Sequence, residues 1–330
     1  METNNFFIPK KCFQKRRFLV CAPSYSQNNG GSIVLHKLCH LINELGNDAY
    51  IFPIVENHQL NRFNYKSVLL KFFKKHLREP FRRFKTIPNL KTPVLKTLPT
   101  DIHSDNWVVI YPEITFGNPL NALNVVRWLL HNPDFDQATG EDNKNFFFGK
   151  GELYFRIGPW FKDFTYPGST TSVSFLQVFH YPLHLFNLEG VAKERFGTAY
   201  TIRKGKNKQI SHDLKNSVLI DGLKHEEIAN IFKQVKTFIS YDPKTTYSYF
   251  AALCGCDSVV IPDKGITEDE WMPNLEDRYG LAYGFENIPK AQETKHLLPE
   301  KFNKFEISSK DSVKNFLTEV EVFFSKNNYS

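Results

Sequence analysis

The stretch that most constrains this chain runs from Lys236 to Asp263, KTFISYDPKTTYSYFAALCGCDSVVIPD. An apolar run at Thr237–Ser240 predicts a strand, and the polar residues Tyr241–Thr246 predict a turn. Tyr247–Leu253 has helical character, Cys254-Gly255 is a stop, and Ser258–Ile261 is a second strand. This is one β-α-β unit, with its polar groups gathered where the first strand ends and the helix begins. Parallel strands joined by a helix require a sheet covered on both faces, and such sheets take ligands at their carboxyl edge. Helix N-termini there offer unpaired N–H groups to anions.

A second unit of the same kind opens the chain. Phe18–Ala22 (FLVCA) reads as a buried strand, followed by a loop, Ser24–Ser32, that contains Gly30 and Gly31. Ile33, Val34, Leu38, Leu41, Ile42 and Leu45 share one helical face, Gly46 stops the helix, and Ala49–Ile54 is the next strand. Further strands are predicted at Trp107–Tyr111, Val125–Leu130 and Leu153–Arg156, with helices over Lys66–Leu77 and starting at Asn118–Ala122. The pattern changes across Val178–Glu189, and a new alternating series begins with strand Thr198–Ile202, strand Ser217–Ile220 and helix Lys224–Lys233. Val313, Phe316, Leu317, Val320 and Phe324 make an amphipathic helix near the end. The expected organisation is therefore a lobe over 1–180, a second over 181–305, and a final helix over 306–330 that crosses back. A length of 330 residues suits two domains.

Composition excludes several classes. No run approaches the length of a bilayer span, and METNNFFIPKKCFQKRR has no apolar core for a signal peptide. Five cysteines without a C-x-x-C pair point to free thiols in a reducing compartment, so the expected location is cytoplasmic. The net charge of +7 is moderate but concentrated: Arg62–Lys85 holds nine Lys and Arg against the single acid Glu79. Interleaved Leu and Phe would let this stretch lie on an anionic membrane surface, at the inner face of the membrane; an ordinary helix with a solvated cationic face is the plainer reading. No nucleic-acid motif accompanies it, and no H-E-x-x-H or paired-ligand spacing predicts a metal.

Several constellations can carry chemistry. Gly30-Gly31 permits close backbone approach to a ligand, or is a simple tight turn, and it is not the G-x-G-x-x-G fingerprint. Arg203, Lys204 and Lys206 follow a strand directly, where a guanidinium fork and ammonium charges suit a diphosphate; a solvated basic loop is the alternative. In the first unit described above, Thr245 or Thr246 can cap the helix or bind phosphate, and Asp242 can hold a sugar or ribose hydroxyl. Glu113, His131 and Asp134 sit at predicted strand ends, where a carboxylate or imidazole can act as a general base or simply stabilise a turn.

Taken together, these residues resemble the glycosyltransferases of the GT-B fold, which consist of two Rossmann-like lobes facing across a cleft. Gly30-Gly31 and the helix behind it look like the glycine loop of the large retaining families, and Arg203 and Lys204, with Lys206, match their diphosphate cations. Asp242 to Val260 is similar to their donor signature, two Glu separated by seven residues before an Ala-Cys-Gly-type stop. Aligning on Cys254-Gly255 puts Asp242 at the first acid and Phe250 at the second, which is not acidic here. Tyr247 and Tyr249 are then candidates to contact the nucleoside. The resemblance implies a metal-independent transferase without a cofactor. Its donor would be a nucleotide sugar and its acceptor a saccharide or lipid-linked molecule of surface polysaccharide synthesis (capsule, O-antigen or lipooligosaccharide). A nucleotide-sugar epimerase and a non-catalytic nucleotide- or glycan-binding protein are the alternatives.

Overall fold

The computed structural model describes residues 15–54, 84–131, 148–159 and 166–327. The Lys66–Leu77 helix, the basic stretch as far as Arg83, Asp134 and Cys12 lie outside the described residues. The chain divides into two units, Met1–His180 with Ser308–Ser330, and Tyr181–Ile307.

The first unit is built on a parallel sheet of β1 (Arg17–Ala22), β2 (Ala49–Pro53), β3 (Trp107–Pro112), β4 (Asn124–Leu129), β5 (Leu153–Arg156) and β6 (Thr170–Phe175). Among the described residues the strand order is β2-β1-β3-β4-β5-β6. The inner strands are largely apolar because both faces are covered, with Arg127 of β4 buried against Glu152 as an exception. Strand alternation sorts them: Phe18, Val20 and Ala22 of β1 join one apolar cluster, while Leu19 and Cys21 join another on the opposite face. Helix α1 (Gly30–Glu44) packs Leu35, Leu38, Leu41 and Ile42 into the first cluster. Val313, Phe316, Val320 and Phe324 from the chain's far end join the same cluster.

The glycine pair differs from its predicted place in a loop. Gly30 and Gly31 are the first residues of α1, and Asn29 is the N-cap, its side chain accepting the Ser32 N–H at 2.9 Å. Asn118–Ala122 is also a turn rather than a helix start. The Asn118 side chain accepts from the Ala122 N–H at 3.0 Å and donates to the Ala122 carbonyl at 2.8 Å, closing the turn on itself.

The second unit has its own parallel sheet of β7 (Thr198–Thr201), β8 (Ser217–Leu219), β9 (Thr237–Ser240), β10 (Asp257–Val260) and β11 (Leu281–Tyr283), in the order β11-β10-β9-β7-β8. Helices α2 (His225–Phe232) and α3 (Tyr247–Leu253) bury Ile228, Phe232, Phe250 and Ala251 with Phe238 of the sheet. Past α3, the Gly255 N–H bonds to the Ala252 carbonyl and the Cys256 N–H to the Ala251 carbonyl, each at 2.9 Å. Gly255 has φ +87°, so this is a Schellman stop that only a residue tolerant of the left-handed region closes easily. Helix α4 (Glu268–Trp271) carries a Thr267–Glu270 capping box, and α5 (Ile288–Thr294) sets Ala291 against Val259 and Ala282. Helix α6 (Leu298–Asn327) is 30 residues long. Its Leu298 and Phe302 complete the second unit's core, and its later turns belong to the first unit. Both units are therefore Rossmann-like α/β sheets. No described helix is long and apolar enough to cross a membrane.

Candidate functional site

In each sheet the strand order reverses once, leaving a crevice beyond the carboxyl ends of the two strands that flank the reversal. In the second sheet these strands are β7 and β9. The segments leaving them are Ile202–Lys206 and Tyr241–Thr246, so topology brings the cationic cluster and the Asp242 turn to one place.

The turn after β7 is a 3-10 turn, Arg203–Gly205. Arg203 has φ +37°, and it is the one described residue other than Asn and Gly with positive φ. Such a backbone costs an arginine on the order of 1–3 kcal/mol. Two contacts hold it. The Ile202 and Arg203 N–H groups both donate to Asp221 Oδ2 at 3.0 Å, and the Thr201 hydroxyl donates to Asp221 Oδ1. Gly205 lies against the next turn, where an added Cβ would stand 2.2 Å from the Tyr241 carbonyl oxygen. That close approach is the reason for glycine here.

The turn after β9 begins with Ser240, whose hydroxyl donates to the Asp242 carbonyl at 2.6 Å. Asp242 is buried, and its Oδ1 accepts the Lys244 N–H at 3.2 Å, a turn closed by a side chain. Its Oδ2 lies 4.0 Å from Arg203 Nε. The Arg203 guanidinium is half-exposed, sits over the Tyr247 ring at 5.5 Å, and makes no hydrogen bond among the described residues. Trp271 Nε1 donates to the Pro243 carbonyl at 2.6 Å and clamps the turn from outside.

Between the turns lies a pocket of about 360 Å³, lined by Lys204, Gly205, Asn207, Lys208, Asp242, Pro243, Lys244 and Asp263. Lys208 is committed to Asp263 at 2.8 Å and to the Ile261 carbonyl at 2.6 Å. Lys204 and Lys244 have no ion-pair partner among the described residues, so the pocket presents free positive charge beside one buried carboxylate.

Other expected site residues fall differently. Arg203 and Lys206 do not line the pocket; Lys208 does. Thr246 is the N-cap residue of α3 but makes no side-chain cap bond, whereas Thr245 Oγ1 accepts the Tyr247 N–H at 3.4 Å. Phe250 stacks on Phe186 at 4.2 Å between centroids with the rings 8° from parallel, inside the apolar core. Tyr249 turns its hydroxyl inward to the Asp277 carbonyl at 2.5 Å. Asp221, Lys208 and Asp263 were not expected; the signal available was an acid just past the β8 strand run and one just past β10.

In the first sheet the reversal lies between β1 and β3. Glu113, just past β3, is buried, and its carboxylate accepts the N–H groups of Leu130, at 2.9 Å, and His131. Burial pushes its pKa up to about 7, while those amides and the charge of Arg127 pull it down. A Cβ on Gly31 would lie 3.6 Å from Leu130 Cδ1, so the start of α1, Glu113 and His131 are neighbours at this edge. The His131 side chain itself is exposed. Asp134 lies outside the described residues. Among those described, no group of three or more His, Cys, Asp or Glu is placed to hold a metal.

No protein-family model and no curated protein matches the chain. Among solved structures, it is similar to the spinosyn forosaminyltransferase SpnP at 10% identity and TM-score 0.33, over 93% of this chain and 95% of that one. It is also similar to the glycosyltransferase SnogD from Streptomyces nogalater at 13% identity and TM-score 0.34, over 96% of this chain and 100% of that one. The glycosyltransferase VinC in complex with DTDP gives 12% identity and TM-score 0.31, over 93% of this chain and 96% of that one. These likenesses are too slight for any residue role to pass from them to this chain.

Proposed function

We propose that the protein is a glycosyltransferase of the GT-B type that takes a nucleotide-sugar donor at the carboxyl edge of its second sheet. The observation that carries this reading is the meeting of Lys204 and Asp242 in one pocket, with Arg203 4.0 Å from Asp242, at the point where the strand order reverses. A free ammonium and a guanidinium without hydrogen bonds are what a diphosphate leaving group needs as its charge develops. Asp242 would accept a hydroxyl of the sugar or ribose, and Thr245 and Tyr247 would line the same edge. In the first unit, Glu113 has a pKa near neutrality and is the best-tuned general base, with His131 beside it. Gly30 and Gly31 would let a ligand approach the start of α1.

The finer parts of the proposal are metal-independent transfer to a saccharide or lipid-linked acceptor, a place in surface polysaccharide synthesis, and docking of Arg62–Lys85 on an anionic membrane face. A second reading has an observation in its favour. Phe250 replaces the family's second acid and is built into the core, so the chain could hold a nucleotide without transferring a sugar. Thermal denaturation with UDP, GDP, dTDP, CDP and ADP tests donor binding: one of them should raise the melting temperature, since a ligand bound only by the folded state stabilises it. If none does at millimolar concentration, the donor-site reading is wrong. Turnover of the matching nucleotide sugar with an acceptor separates transferase from silent binder, and turnover without an acceptor would mark an epimerase.

A further inference from the structure

We infer that Asp221 is a positioning residue for the nucleotide site: it shapes the turn that carries Arg203 and does not touch the ligand. The inference rests on the reading of the second sheet's edge as a nucleoside-diphosphate site.

Three consecutive residues leaving β7, Thr201, Ile202 and Arg203, all donate to this one carboxylate. Ile202 is right-handed helical (φ −106°, ψ −53°) and Arg203 has positive φ. A right-handed residue followed by a left-handed one turns successive N–H groups toward the same point, making a nest that attracts an anion. Asp221 supplies that anion from the end of β8. Its two oxygens are spent on these donors, and it does not line the pocket. The carboxylate therefore offsets the cost of left-handed backbone at a bulky residue, and Arg203 is held where its guanidinium lies over Tyr247 and near Asp242. Gly205, pressed on the Tyr241 carbonyl, fixes the other end of the turn. Without Asp221 the turn relaxes toward ordinary φ, and the Arg203 guanidinium swings away from Tyr247 and Asp242.

The test is calorimetric titration of wild type, Asp221→Asn, Arg203→Ala and the double variant with the nucleoside diphosphate that stabilises the wild type, and with its parent nucleoside. Asp221→Asn should weaken diphosphate binding about tenfold, the scale of a lost charged hydrogen bond. It should leave nucleoside binding unchanged, and the double variant should bind no worse than Arg203→Ala, because both act through one side chain. Hydrogen exchange at Ile202 and Arg203 should speed up in Asp221→Asn. Wild-type affinity in Asp221→Asn, equal weakening of nucleoside and diphosphate, or additive effects in the double variant would each overturn the inference while leaving the site reading intact. If wild type binds no nucleoside diphosphate, both fall. Should Asp221→Asn fail to fold, Thr201→Val removes one of the three donors and should weaken diphosphate binding about threefold, again sparing the nucleoside; no change would count against Asp221.

Discussion

The carboxyl edges of the two sheets share a topology and differ in electrostatics. At the second edge, Lys204 and Lys244 bring into a pocket positive charge that no described residue pairs, and a strained Arg203 precedes Lys204. At the first edge the central group is Glu113, buried, held by backbone amides and near the charge of Arg127. One edge is suited to neutralise an anion and the other to gain or lose a proton near neutral pH. The same fold thus supplies two different tools, and the difference lies in a few residues just past the strand ends.

The largest expected effect tests whether an acid is tolerated at position 250. Phe250→Glu should destabilise the second unit by about 4 kcal/mol or more, because a carboxylate would replace a ring stacked on Phe186. Urea denaturation reads this, and a stable variant would show that the core around α3 is looser than its packing implies.

Next is the pH behaviour of Glu113. Its folded pKa of about 7 lies above the ordinary 4.5, so the folded state favours the proton. The stability contributed by that proton is full below pH 4.5 and is lost as pH rises through 7, a change of roughly 3 kcal/mol. Glu113→Gln should remove this part of the slope. Urea midpoints at several pH values check it, and parallel curves for the two proteins would refute the buried-carboxyl account of the first edge.

Arg203→Ala and Lys204→Ala should each weaken nucleoside diphosphate binding by about 10- to 100-fold, with melting temperatures near wild type. Loss of this contrast, with Glu113→Gln weakening the diphosphate as much, would break the division of labour between the edges. The smallest effect separates two threonines. Thr245→Ala should cost about 0.5 kcal/mol, since its hydroxyl bonds the Tyr247 N–H at a long 3.4 Å, while Thr246→Ala should be neutral within the error of thermal melts.

The α/β character was legible in the sequence, as was the gathering of polar residues just past β7 and β9. Apolar runs such as FLVCA and WVVIY are buried on both faces, and each ends at a polar turn that topology then gathers. β6 (TTSVSF) was not legible because it is the sheet's edge, exposed along much of its length and without an apolar run. β11 has three residues, too few to show a period. Asp221 was silent because its role depends on a neighbour in space, twenty residues back at Thr201. The fate of Phe250 depends likewise on Phe186, which sequence pattern alone does not connect to it.

The long α6 helix imposes an order on synthesis. Val313, Phe316, Val320 and Phe324 fill the same cluster as Phe18, Val20 and Val108, and Glu321 pairs with Arg16. The ribosome makes the strands of the first unit before the second unit and this part of the helix after it. The first sheet must therefore wait, with one apolar face covered only in part by α1, until the whole second unit has been translated. It is begun before the second unit and finished after it, and so is the one of the two more in need of protection while the chain is still growing.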